Sequence, residues 1–146
     1  MNFHPAVKNW FQQNYESASP PQEKGWPSIA AGRHTLILAP TGSGKTLASF
    51  LWCIDDLFRA SLEIDEKQFS QNREGVHTLY ISPLKALNND IHRNLQTPLT
   101  GIRQAAKELE VDAPEIRTVV RTGDTPSHVR QAMVKRPPHI LSLIHI

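Results

Sequence analysis

Between Ala39 and Thr46 the chain reads APTGSGKT, a stretch whose residue types and spacing suit the holding of a nucleotide's phosphates. It fits the phosphate-loop pattern with Ala39 in place of the first glycine. Gly42 and Gly44 let the backbone turn tightly enough for successive N–H groups, from Thr41 through Ser43 to Leu47, to point at phosphate oxygens. Lys45 supplies a cation for the β and γ phosphates, and the Thr46 hydroxyl is a candidate Mg2+ ligand, so these two are the candidate catalytic residues. The alternative is a glycine-rich turn that merely caps a helix. The loop by itself implies a nucleotide and not a reaction, because kinases, transporters, small GTPases and helicases all use one.

Such a loop has to lie between a strand and a helix, and the flanking sequence meets that demand. From His34 the run TLILA reads as a short buried strand, and behind the loop Leu47, Phe50, Leu51, Ile54, Leu57 and Phe58 recur on one face of a helix. Upstream, Val7, Trp10, Phe11 and Tyr15 mark a short amphipathic helix after Pro5. A second helical segment, PQEKGWPSIAAG, stops at Gly32, and Pro27 puts its continuity in question. Downstream, Ser61 to Gly75 reads as a loop, while Val76 to Ser82, Ile116 to Val120 and His139 onward read as strands. Helices are expected around Leu87, Ile91 and Leu95, over Ile102 to Glu110, and over Pro126 to Val134. Strands alternating with helices at this spacing predict an α/β fold, a parallel sheet with helices on both faces.

The 146 residues suffice for one domain with a real core. A composition of 39% hydrophobic and 21% charged residues argues against disorder. No run approaches the roughly 20 apolar residues of a membrane span, and the start MNFHPAVKNW lacks the order of a secretion signal, so a cytoplasmic protein with no membrane partner is expected. Cys53, the single cysteine, cannot pair internally and reads as core filler, and the seven histidines show no metal-ligand spacing. Trp10 and Trp26 read as packing residues. Residues 1–75 hold seven Lys or Arg against eight Asp or Glu, whereas residues 76–146 hold nine against six. That asymmetry is compatible with a phosphate-backbone surface in the second half, or with an uneven solvated surface.

With Thr41 and the Gly-Ser-Gly triplet, APTGSGKT resembles motif I of superfamily 2 helicases of the DEAD/DEAH-box type. PPQEKGWPSIAAGR resembles the upstream element that contacts adenine in that family, with Gln22 as its glutamine, and Phe3 lies where an aromatic residue stacks on the base in many members; taken without the resemblance, Gln22 reads as a surface helix residue and Phe3 as a core anchor. YISPLKALNNDI (Tyr80 to Ile91) resembles motif Ia, and VVRTGDTP (Val119 to Pro126) the next strand-end motif that touches nucleic acid. These segments together with RPPHIL are similar to large helicase-related (Lhr-type) proteins, over nearly residues 3 to 140. The resemblance implies an incomplete RecA-like P-loop domain over residues 34–140, preceded by a helical adenine-recognition segment over residues 1–33. It implies ATP and Mg2+ as cofactors. It also implies single-stranded DNA or RNA as partner, gripped by Pro83, Leu84 and Lys85 and by Arg121, Thr122, Gly123 and Asp124. Both segments follow predicted strands, where an open parallel sheet gathers its ligands, although each taken singly also reads as an ordinary strand-to-helix turn.

The same resemblance implies a later acidic motif and a second RecA-like domain of the same chain, neither of which the sequence contains; the stretch would then be inactive alone. Leu141 to Ile146, LSLIHI, looks like the translation of CTGTCTCTTATACACATC, a transposase end used in sequencing libraries, so residues 141–146 are expected to be a non-native tail. The alternative is a natural apolar strand. Besides a helicase part, the loop leaves open a nucleotide-binding module without catalysis and a different P-loop enzyme such as a small-molecule kinase.

Overall fold

A computed structural model of the chain describes residues 2–63, 69, 75–82 and 91–144. Helix α1, Pro5–Asn14, begins where Pro5 needs no hydrogen-bond partner and His4 Nδ1 accepts the Ala6 N–H; it buries Ala6, Val7 and Trp10. Helix α2, Pro20–Ala30, runs unbroken through Pro27. Trp26 holds it there: the side chain is buried and its indole N–H donates to the Ala48 carbonyl at 2.9 Å. Helix α3, Lys45–Glu63, starts as the phosphate loop ends and buries Leu47, Ala48, Phe50, Leu51, Ile54, Leu57 and Phe58, the face that the sequence periodicity marks.

Asp55 of α3 is fully buried among these apolar side chains. Its carboxylate accepts the His4 N–H and an Arg59 Nε bond at 2.7 Å, and Arg59 also donates to the Asn2 carbonyl. A buried charge stands only when paired in this way. The clasp ties residues 2–4 across α3.

Three parallel strands follow: β1, Thr78–Ser82, β2, Thr118–Arg121, and β3, Ile140–Ile144, with β3 in the middle. Thr78 and Thr118 both register with Ile140. The period of two puts Tyr80, Val120, Ile140, Ser142 and Ile144 on one face. That face packs on α3, where Phe50 and Tyr80 rings lie 4.9 Å apart. Residues Leu141 to Ile144, expected as a tail, therefore supply most of the central strand, as their alternating burial requires. The other face carries Leu79 and Ile81, both exposed, and is flanked by helix α5, Ser127–Lys135, none of whose residues is buried.

Two expectations are corrected. The run from Thr35 to Ala39 is not a strand: it pairs with none of the three, and Leu36 and Leu38 stand 83% and 85% exposed. A strand exists only where a neighbouring backbone takes its N–H and C=O groups, and no described backbone group does so. Ile37 and Ala39 are half-buried, Ile37 against Gly25. The two helices expected between Leu87 and Glu110 are continuous where described: Ile91 enters a π-helical turn, His92–Gln96, that passes into helix α4, Thr97–Glu108. The wide turn falls just before Pro98, which has no N–H for the preceding turn. Leu87, like Pro83, Leu84 and Lys85, lies outside the described residues. Of the expected loop from Ser61 to Gly75, the first three residues belong to α3 and Phe69 is buried with its ring 4.8 Å from that of His139. Among the described residues no helix is long and apolar enough to cross a membrane.

Two predictions follow from this packing. A Cβ at Gly101 of α4 would run into the Trp10 indole, so Gly101→Ala is expected to destabilise the fold by about 1–3 kcal/mol, read as a lower denaturant midpoint at unchanged slope. The second concerns pH. Burial holds the imidazole of His4 below its usual 6.5, with Asp55 opposing and Arg59 adding, and burial followed by Arg117 does the same for His139. Each ring is kept neutral in the fold while the unfolded chain takes up a proton, so stability is full above about 6.5 and falls as pH drops through that value. Melts from pH 7.5 to 5.5 should show a falling midpoint, and His4→Gln with His139→Gln should flatten the trend.

Candidate functional site

The phosphate loop sits at the head of α3, braced by the head of α2. Gly42 and Gly44 have φ of +81° and +85°, the left-handed region that side chains avoid. Lys45 curls back so that its ammonium donates to the carbonyls of Ala39 and, at 2.6 Å, Pro40, and the Ser43 N–H closes a turn onto Pro40 at 3.3 Å. From α2, the Ser19 hydroxyl donates to the Ser43 carbonyl at 2.8 Å and the Gln22 amide reaches the Gly44 carbonyl at 3.4 Å. Gln22 Oε1 in turn accepts the Ser19 N–H at 2.9 Å, one half of a capping box. Five loop-side contacts thus hold carbonyl oxygens, leaving the N–H groups at the α3 terminus as the ready partners of an anion.

The Ser43 hydroxyl is buried at this loop with no hydrogen-bond partner. An orphaned hydroxyl, two left-handed glycines and a helix head together fit a phosphate group. Thr46 is half-buried at the first turn of α3, where its hydroxyl can serve as one Mg2+ ligand. Among the described residues there is no group of three or more His, Cys, Asp or Glu that could hold a metal ion. Thr41 is exposed and Leu47 is buried under the loop. Gln22 is close to the loop but only 4% exposed, and Phe3 is 7% exposed with its ring edge-on to Trp26 at 4.9 Å. Phe3 and Gln22 are not brought together around one open face.

A second loop follows β2. Arg121 is exposed at the strand end, and the chain then closes on itself: the Thr122 N–H donates to Thr125 Oγ1 at 2.8 Å and the Asp124 N–H to Thr122 Oγ1 at 3.2 Å. Arg130, on the first turn of α5, donates from Nε to the Thr125 carbonyl at 2.8 Å and from Nη2 to the Gly123 carbonyl at 2.7 Å. Arg121 and Arg130 share a cavity of about 280 Å3 with Val76, Met133, Val134 and Leu141. Lys135 lies at the other end of α5 and Arg136, just beyond it, stands 3.8 Å from the Glu115 carboxylate; α5 itself carries no carboxylate.

Ser19 and Arg130 were not among the residues singled out from the sequence. Ser19 had a signal, since Ser-x-x-Gln before a helix marks a capping box. Arg130 had a weaker one: a cation in the first turn of a helix opposes the helix dipole and calls for compensation. The geometry at Gly44 yields a prediction. A Cβ there would lie 2.7 Å from Gln22 Nε2 on a left-handed residue, so Gly44→Ala should cost about 1–2 kcal/mol in a thermal melt and speed amide exchange at Ser19.

Comparison with known proteins shows the family of the chain. The profile of the DEAD/DEAH box helicase family matches residues 19–145. An ATP-dependent helicase Lhr-Core of Methanocaldococcus jannaschii is 47% identical over 92% of the chain, and a Lhr helicase/probable uracil glycosylase of Mycolicibacterium smegmatis is 45% identical over 95%. The chain spans only 15% and 9% of those relatives' lengths. A solved structure of Mycobacterium smegmatis helicase Lhr bound to ssDNA and AMP-PNP superposes on 97% of the chain with a TM-score of 0.83 at 43% identity, the chain covering 17% of it. A hypothetical ATP-dependent RNA helicase from Sulfolobus tokodaii, 17% identical with a TM-score of 0.56, shares the fold. The sheet flanked by helices is thus that of an incomplete RecA-like P-loop domain, and the chain belongs to the DEAD/DEAH box helicase family, closely related to its Lhr-type ATP-dependent members.

Proposed function

We propose that the chain is the nucleotide-binding and strand-gripping part of an ATP-dependent helicase. The observation that carries this reading is a glycine-turned loop at the head of α3, with carbonyls held away and an orphaned Ser43 hydroxyl, in a chain whose fold and sequence match a helicase solved with ssDNA and AMP-PNP. In this reading the Lys45 ammonium leaves the Ala39 and Pro40 carbonyls for the β and γ phosphates, and backbone N–H groups from Gly42 to Leu47 receive the remaining oxygens. The Thr46 hydroxyl would hold Mg2+, which when bound would spread the phosphate charge.

Gln22 keeps an N–H and an acceptor lone pair beyond its contacts to Gly44 and Ser19, which gives it an amide edge to offer adenine. Phe3 in its present place supports Trp26, and would have to leave that packing to stack on a base. Arg121 with the Thr122–Asp124 turn would hold a strand's backbone phosphate, and Pro83, Leu84 and Lys85 a neighbouring one. Such contacts carry little sequence preference. ATP hydrolysis and strand separation are assigned to the longer protein architecture that the relatives represent.

A second reading is binding without turnover by this stretch alone, since Lys45 and Thr46 can hold phosphate and metal but neither orients an attacking water. Positioning of water and stabilisation of the transition state are each worth orders of magnitude in rate, so Lys45 and Thr46 without such groups give binding and no turnover.

Lys45→Ala is expected to weaken ATP binding by about 10- to 100-fold, since a charge-assisted hydrogen bond contributes roughly 1.5–3 kcal/mol, while the melt stays that of the parent. Titration calorimetry with ATP and with GTP measures this and the adenine preference together. Undiminished ATP affinity in the variant would sink the loop assignment, and equal affinity for the two nucleotides would remove the role given to Gln22. Phosphate release by the parent chain above background would overturn the reading of binding without turnover.

A further inference from the structure

Arg130 is exposed on a helix with no buried residue, so nothing in the packing obliges its guanidinium to turn inward. A cation on the first turn also sits at the positive end of the helix dipole, where it is disfavoured. Yet its planar fork bridges two carbonyls of the preceding turn, Gly123 and Thr125, at 2.7 and 2.8 Å. The same turn spends its Thr122 and Asp124 N–H groups on the hydroxyls of Thr125 and Thr122. A carbonyl oxygen facing outward beside Arg121 would repel a phosphate. Drawn onto Arg130, both oxygens face a cation instead.

We propose that Arg130 is a positioning residue for the Arg121–Thr125 loop, holding it in the shape that receives a nucleic-acid backbone phosphate without itself touching that phosphate. The proposal rests on the reading that this loop grips nucleic acid. Arginine is required for its geometry: a lysine keeps the charge but, as a point cation, cannot reproduce the Nε and Nη2 pair on two carbonyls. A residue that contacted phosphate directly would behave differently, since lysine would substitute and loss of the charge would reduce the salt dependence of binding.

The test uses the 146-residue chain and its Arg130→Lys, Arg130→Gln and Arg121→Ala variants, each checked for parental circular dichroism and melting. Fluorescence anisotropy with labelled oligothymidylate is recorded from about 50 to 200 mM salt, the range over which phosphate contacts reveal themselves, alongside amide exchange at Thr122, Asp124 and Thr125. Arg130→Lys and Arg130→Gln should both weaken binding by about tenfold with the salt slope of the parent, and should speed exchange at the Thr122 and Asp124 amides. Parental affinity in Arg130→Lys, with Arg130→Gln weakened and its slope lowered by about one, would make Arg130 a direct phosphate contact and overturn the proposal. Parental amide exchange in both Arg130 variants would overturn it on structural grounds alone. If Arg121→Ala binds as the parent does, the underlying reading of the loop fails, whatever the Arg130 variants do to exchange.

Discussion

Helix α3 is buried along most of its length, and almost everything else in the molecule is placed by what touches it. Its apolar band packs on α2 at one end, on the tyrosine-bearing face of the sheet in the middle, and on residues 3–7 toward its C-terminal half. Each fully buried side chain of the size of Leu, Ile or Phe contributes about 1.5–3 kcal/mol, so the helix cannot shift by a turn without exposing several of them. The phosphate loop is the segment immediately before this helix. Its position is therefore inherited from the core, and the buried Asp55, bonded to His4 and Arg59, fixes the rotation at which the helix presents its head.

Both loops follow one physical scheme. A neighbouring helix sends a polar side chain to the carbonyl oxygens of the loop: Ser19 and Gln22 of α2 to Ser43 and Gly44, and Arg130 of α5 to Gly123 and Thr125. At the first loop the helix head beyond it is left with unpaired N–H groups, a surface that favours an anion. At the second, Arg121 meets solvent beside a turn whose oxygens are already occupied. The scheme orders backbone by hydrogen bonds that lie at the protein surface, where each is worth about 1 kcal/mol, so it shapes the loops without dominating stability.

The sheet is uneven. One face is sealed by α3, while on the other Leu79 and Ile81 are exposed, as are Leu36 and Leu38 ahead of the phosphate loop. An apolar sheet face with open strand edges favours association with further protein.

By itself the sequence determined the local chemistry and the order of the parts. Gly42, Gly44, Lys45 and Thr46 were legible because a phosphate loop needs those residue types at adjacent positions, and α1 and α3 were legible because a helix that buries one side repeats its apolar residues along it. The three strands were legible as short apolar runs between turn and helix segments. Tertiary structure decided what periodicity cannot encode, namely which partner each face meets. The run from Thr35 to Ala39 has the composition of a strand, yet no described strand accepts its hydrogen bonds. The helices expected around Leu95 and from Ile102 are joined through a widened turn just before Pro98. Phe3, a core anchor on its own and a ring for a base by resemblance, lies against Trp26 in this structure, where a large aromatic gains from burial. The bond from Ser19 to Ser43 spans 24 residues, and no local pattern records a contact that arises only when two helices dock.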